Sequence, residues 1–247
     1  MEEKLKISVA MTCFNAERFI KKAIKSIVRQ TYKNWEIIIV DDVSTDKSIN
    51  VINKTIKLYN IEKKVKFFQH KKNYGYGKTL KDAIEKGNGE LVAIVDSDDA
   101  LASSKAFKIM VQEHIKHPEA SLVYSNYYKC TANLKPCHLG PSKQIPEGRS
   151  YLNTKIRISH LKVFKRLAYN KTVGLNPKLK KSVDKDLVLK LEEKGSLVFV
   201  NKPLYYYRTH NDNLTRKMHT MPKSYRDWVN QMRKNIYEEA KKRRGIK

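Results

Sequence analysis

Leu91-Val92-Ala93-Ile94-Val95-Asp96-Ser97-Asp98-Asp99 decides the fold. Five apolar residues in a row, three of them β-branched, read as a short strand covered on both faces, the kind found in parallel sheets. The strand runs directly into three carboxylates within four residues. Working outward, residues 35–40 (WEIIIV) form a second such run that ends in Asp41-Asp42, and residues 6–11 (KISVAM) form a third that ends at Thr12–Asn15. Residues 65–69 supply a fourth.

Helical spacing fills the intervals. Phe19, Ile20, Ala23, Ile24, Ile27 and Val28 trace an amphipathic helix over 16–30. Ser44-Thr45-Asp46 offers an N-cap for a helix carrying Ile49, Ile52 and Ile56, and a third helix over 78–87 stops at Gly87 and Gly89. The alternation predicts an α/β fold, a mostly parallel sheet with helices on both faces. In such sheets ligands bind beyond the carboxyl ends of the strands. Thr12–Asn15, Asp41-Asp42 and Asp96–Asp99 therefore share one crevice.

The second half is less regular. It predicts a helix over 104–117, a strand over 121–126, turns at Pro136, Gly140-Pro141 and Pro146, a helix over 184–194, and strands over 197–200 and 204–207. Residues 222–244 carry Tyr225, Trp228, Val229, Met232, Ile236 and Tyr237 on one helical face, which either docks on the domain or rests on a membrane surface.

With 247 residues the chain is long enough for a substantial core. No apolar run reaches the ~18–20 residues of a membrane span. Met1-Glu2-Glu3-Lys4 lacks the cationic start of a secretion signal, and three cysteines without a CxxC spacing fit neither a disulfide scaffold nor a zinc ribbon. A cytoplasmic protein is the expectation. The net charge is +26, concentrated in residues 129–181, where 13 basic side chains face the single acid Glu147. Such a field attracts polyanions; a lysine-rich composition accounts for the rest of the excess. Gly77-Lys78-Thr79 is not a P-loop, because Lys72 stands where its first glycine belongs.

Three clustered carboxylates repel one another unless a cation sits among them, and Mg²⁺ or Mn²⁺ bridging carboxylates to phosphates is the chemistry that suits them. At these residues the sequence resembles a family. ISVAMTCFNAERFIKKAIKSIVRQTYKNWEIIIVDDVSTDKS, GELVAIVDSDDAL and VDKDLVLKLEEKGSLVFVNKPLYYYRTH together are similar to the family 2 glycosyltransferases of the GT-A fold, over about 6–128 and 182–215.

The resemblance implies an inverting transfer from a nucleoside-diphosphate sugar, usually a UDP-sugar, with Mn²⁺ or Mg²⁺. It implies a GT-A domain over 1–215, with a nucleotide-sugar half (1–128) and an acceptor half (129–215), followed by a basic amphipathic helix over 216–247. Carried over by position, Thr12, Phe14 and Glu17 line the nucleotide pocket and Asp42 accepts from the uracil ring. Asp96, Ser97, Asp98 and Asp99 form the DxD region; Asp98 is the expected direct metal ligand, joined by Asp96 and His210. Arg208 faces the diphosphate, Lys78 reaches toward it, and His160 lies on the acceptor side. Asp184 holds the catalytic-base position, with Asp186 as a second carboxylate. Val183 replaces the acidic neighbour that the family places before the base, Thr12 a frequent proline, and Val43 a frequent glycine. The expected acceptor is a glycan hydroxyl. The cationic middle suggests a polyanion such as hydroxymethyl-pyrimidine DNA, whose base would have to leave the stack. A non-catalytic nucleotide-sugar or nucleic-acid binding module is the reading from another class.

Overall fold

The computed structural model describes residues 5–211 and 221–246. In chain order the elements begin with β1 (Ile7–Cys13), α1 (Ile20–Val28), β2 (Trp35–Asp41), α2 (Ser48–Tyr59), β3 (Val65–Gln69), α3 (Tyr76–Glu85) and β4 (Leu91–Ile94). They continue with β5 (Ala100–Leu101), α4 (Ala106–Lys116), β6 (Ala120–Cys130), β7 (Pro136–Leu139), β8 (Lys162–Lys165) and α5 (Arg166–Asn170). Last come α6 (Val183–Glu192), β9 (Ser196–Arg208) and α7 (Lys223–Arg243). The expected boundary at 215/216 and the residues Met1–Lys4 lie outside the described residues.

Strand order is β3-β2-β1-β4-β8-β6-β9-β5, with β7 paired to β6. The first four strands are parallel, as the alternating pattern requires, with Cys13 opposite Asp41 and Ala10 opposite Ile94. β8 enters antiparallel between β4 and β6, and β9 runs parallel to β6. The sheet is thus parallel in its first half and mixed in its second. β8 escapes a pattern reading because its sequence, Lys-Val-Phe-Lys, looks half polar, yet Lys162 is buried. The two short strands expected over 197–200 and 204–207 are one continuous β9, whose register on β6 shifts near Asn126.

Two apolar layers flank the sheet. One joins α1, α2 and α4 through Ile20, Ile24, Ile52 and Phe107; the other joins α3, α6 and α7 through Leu80, Leu187, Ile236 and Ala240. Every residue of β2 is buried. Each fully buried aliphatic side chain contributes roughly 1.5–3 kcal/mol, so the short strands are held by what covers them. α7 lays Val229, Ile236 and Ala240 onto the domain, so most of its apolar stripe is spent on packing rather than left for a membrane. No helix of the described residues is long and apolar enough to cross a membrane.

Candidate active site

The parallel register of β1, β2 and β4 brings their carboxyl ends to one edge, and β9 returns across the carboxylates that follow β4. The Tyr76 hydroxyl, at the start of α3, donates to Asp96 Oδ1 at 3.2 Å. The Asp96 amide donates to the Tyr205 hydroxyl at 3.1 Å. Asp99 Oδ1 accepts the Arg208 amide at 2.7 Å, and the Arg208 guanidinium donates to the carbonyls of Asp98 (2.5 Å) and Ala132 (2.8 Å). Asp98 Oδ2 pairs with His210 Nε2 at 3.0 Å, and the His210 ring packs on Phe19.

Asp96, Asp99 and His160 each offer a ligand atom, all within 4.8 Å of one another. Two full negative charges at that separation repel by roughly 3–4 kcal/mol at an effective dielectric of ~20. Burial, then the charge of Asp98, pushes Asp96 up to about 7, although Lys162 opposes this. Burial, then Asp98 and Asp96, drives Asp99 well above the carboxylate range. The cluster thus holds charge that only a proton or a cation relieves. His160 stacks on Tyr205 with ring centroids 4.6 Å apart, and burial, then Lys162, keeps it neutral, the form in which imidazole ligates. Its buried Nδ1 has no hydrogen-bond partner. Two carboxylates and an imidazole, with Asp98 alongside, form a donor set suited to Mn²⁺ or Mg²⁺.

Several expected residues already have partners within the protein. His160, just before β8, stands in the carboxylate cluster and stacks on Tyr205 of β9. The buried Arg208 guanidinium braces the Asp98 loop through Nε and Nη1, while its Nη2 has no hydrogen-bond partner among the described residues. The expected metal set of Asp96, Asp98 and His210 is divided: Asp96 joins Asp99 and His160, while Asp98 and His210 pair beside them. Lys78 is tied to Asp82 in the next turn. Asp42 accepts the Tyr74 and Gly75 amides at 2.9 and 2.7 Å and pairs with His70 Nδ1 at 2.7 Å, so its carboxylate anchors the turn before α3. Gly75 suits that turn at φ +83°, and at Gly77 a β-carbon would lie 2.3 Å from the Leu179 carbonyl.

Asp186 is buried in an ion pair with Lys190 at 2.8 Å, and it accepts the Asn176 amide; it is a packing residue. Asp184 is exposed in the first turn of α6, and its charge is felt at Tyr76, Asp96 and Tyr151. Val183 turns the other way, into the apolar layer. Thr12 lies in β1 opposite Val40, Ser97 is buried, Phe14 is exposed, and the Glu17 carboxylate accepts the Lys47 amide. Tyr205 and Lys162 are site residues that sequence reasoning missed, and Tyr76 stands in the stretch 74–77, which reads only as a turn beside the pocket. The Tyr-Gly-Tyr-Gly turn before α3 and the aromatic run in β9 were the available signals. Part of the cationic middle is also internal: Lys162 faces Asp96, and Arg166 donates to the carbonyls of Gly89 and Ile84.

Residues 8–173 match the family model for glycosyl transferase family 2. The chain belongs to that family. Over 229 residues, 91% of the chain, it is 30% identical to a chondroitin synthase of Pasteurella multocida, of which it spans 23%. The chain thus covers about a quarter of that relative's length. Among solved structures, the fold of this chain is similar to that of S. aureus TarS 1–349 in complex with UDP-GlcNAc (TM-score 0.68, 21% identity, 85% of this chain and 60% of that one). It is matched as well by the mannosyltransferase PcManGT of Pyrobaculum calidifontis in complex with GDP-Man and Mn²⁺ (TM-score 0.68, 14% identity, 87% and 60%). These likenesses establish the GT-A architecture.

Proposed function

We propose that this family 2 chain transfers a sugar, with inversion, from a UDP-sugar to a hydroxyl of a polysaccharide. The observation that carries the reading is the grouping of Asp96, Asp99 and His160 within 4.8 Å at the end of β4, with exposed Asp184 of α6 near enough for its charge to act on Asp96. The donor class follows the UDP-GlcNAc complex of TarS, and the acceptor class follows the chondroitin synthase relative.

Asp96 and Asp99, with His160 and Asp98, would hold Mn²⁺ or Mg²⁺, which when bound supplies the positive charge that a departing diphosphate needs. Asp184 takes the proton of the acceptor hydroxyl as its oxygen attacks the anomeric carbon from the face opposite the leaving group. The new glycosidic bond forms as the bond to UDP breaks, and a single displacement inverts the centre. Tyr76 orients Asp96, while Arg208, through the Asp98 carbonyl and the Asp99 carboxylate, keeps the loop from turning away.

The test is UDP release from a panel of UDP-sugars with Mn²⁺ and chondroitin oligosaccharides, for the wild type and Asp184→Asn. General-base removal costs roughly 10²–10⁴-fold. UDP release by the wild type and not by Asp184→Asn is the expected outcome. Equal absence of turnover in both, with UDP-sugar still bound, would make the chain a binding module instead. Transfer of label to hydroxymethylated duplex DNA but to no oligosaccharide would move the acceptor to nucleic acid.

A further inference from the structure

α7 runs parallel to α6. Arg233 Nε donates to Ser182 Oγ at 3.2 Å, Lys185 Nζ to the Tyr237 hydroxyl at 2.7 Å, and Arg244 Nη2 to the Leu189 carbonyl at 2.9 Å. Since Arg233 is level with Ser182, just before α6, the earlier residues of α7 overhang the end of α6 that presents Asp184. Trp228 lies five residues before Arg233, about 7.5 Å further along at 1.5 Å per residue.

Here α7 and the loop that precedes α6 form an open groove of about 240 Å³. Leu179, Met232 and Ile236 give it an apolar floor, while Trp228, 42% exposed, stands at its side. Asn176, Gln231, Asn235 and Glu239 supply its polar groups. Among the described residues that line it there is no lysine or arginine, in a chain that carries 51. A groove for a phosphate backbone would show the opposite. An aromatic face beside side-chain amides and one carboxylate matches a sugar ring, whose C–H face packs on the indole and whose hydroxyls bond to the amides. The volume is below the roughly 300–1,000 Å³ of pockets that enclose drug-sized ligands, which suits one ring of a longer chain.

We propose that this groove, with Trp228 as its platform, is a subsite for a sugar ring of the acceptor glycan, next to the ring that Asp184 deprotonates. The inference rests on the transferase reading above and adds the place where the acceptor is gripped. It also gives α7, which lies beyond the segment matched by the family model, a part in acceptor choice.

The chain has two tryptophans, and Trp35 is buried, so emission changes on ligand addition report chiefly on Trp228. Titration of the full chain with chondroitin oligosaccharides should shift the emission, and Trp228→Phe should remove that shift. Trp228→Ala should raise the acceptor KM roughly tenfold more than the donor KM, the loss of one aromatic contact. An emission unmoved by millimolar oligosaccharide, or a shift that persists in Trp228→Phe, would overturn the assignment. A shift produced by duplex DNA and not by oligosaccharide would overturn it in favour of nucleic acid. UDP release without acceptor, measured in parallel, separates the two claims: if it occurs while Trp228 stays silent, the subsite fails and the transferase reading stands.

Discussion

The Tyr76 hydroxyl lies 3.2 Å from Asp96 Oδ1, which ties the first residue of α3 to the carboxylate that follows β4. The same turn is anchored on its other side by Asp42 through the Tyr74 and Gly75 amides. One short turn therefore links the carboxyl ends of β2 and β4, and Tyr76 is the element of it that touches the cluster. A hydrogen bond to a charged group is worth about 1.5–3 kcal/mol. Tyr76→Phe should thus lower Mn²⁺ affinity at pH 7 by roughly tenfold or more, with the fold kept. Titration calorimetry checks it, and unchanged affinity would remove Tyr76 from the site.

Protons and cations compete for Asp96 and Asp99. Asp96 titrates near 7, raised by burial and then by Asp98, and Asp99 is raised in the same way. Mn²⁺ affinity should therefore fall as pH drops below 7, by about tenfold per pH unit for each proton displaced. Calorimetry between pH 5.5 and 8 measures the slope. A flat profile would place the ion on groups other than these.

Asp184 and Asp186 are two residues apart and should behave as opposites. Removing one partner of a buried ion pair costs roughly 3–5 kcal/mol, so Asp186→Ala should lower the unfolding free energy by that order. Below its reduced melting point it should keep the wild-type kcat, because Asp186 is occupied by Lys190. Chemical denaturation and kinetics on the same preparation decide this; a loss of turnover in a folded variant would return Asp186 to the catalytic roles.

His114 gives the fold a dependence on acid. Its Nε2 donates to the Val163 carbonyl at 3.0 Å, its buried Nδ1 has no partner, and burial lowers its pKa to about 4. Protonation would put a charge on an imidazole nitrogen with no acceptor. A histidine depressed on folding contributes stability that is fully present above its unfolded value near 6.5 and is lost as pH falls toward 4. Its full size is roughly 3 kcal/mol. His114→Gln can still donate to Val163 and does not titrate, so its denaturation midpoint should vary less between pH 7 and 4 than that of the wild type. Parallel curves would assign the acid sensitivity to other groups.

Val43 sits at φ +66°, where a β-branched residue is strained. The left-handed conformation costs a non-glycine residue about 1–2 kcal/mol, and glycine's extra freedom in the unfolded chain offsets about 0.5–1 of any gain. Val43→Gly should therefore raise the unfolding free energy slightly or leave it unchanged, whereas valine-to-glycine at an ordinary loop position lowers it. A clear loss of stability in urea denaturation would mean that the valine side chain makes a contact worth more than the strain.

Much of the crevice was legible before any coordinates. The runs ending at Thr12, Asp42 and Asp96 are short, mostly apolar and separated by amphipathic helices, so local pattern points to a parallel sheet with those ends together. Asp184 is singled out for a different reason, through resemblance, and the structure places it exposed at the start of α6. The second half resisted because its strands are not written in local pattern. β8 carries a buried lysine, and β9 reads as two pieces because it shifts register on a partner some seventy residues away in sequence.

The sequence by itself therefore determined the sheet's parallel half and the place of the acidic cluster, since a strand of buried type and the charges that follow it are properties of neighbouring residues. The family follows from the same stretches. Only the tertiary structure decided which side chains stand together. It placed His160 among the carboxylates, buried Asp186 and Arg208 in the interior, and set Trp228 beside the loop that precedes α6. Each of these depends on where a distant element packs, and burial and neighbouring charge, which set what a carboxylate or an imidazole can do, arise from that packing and not from the order of residues.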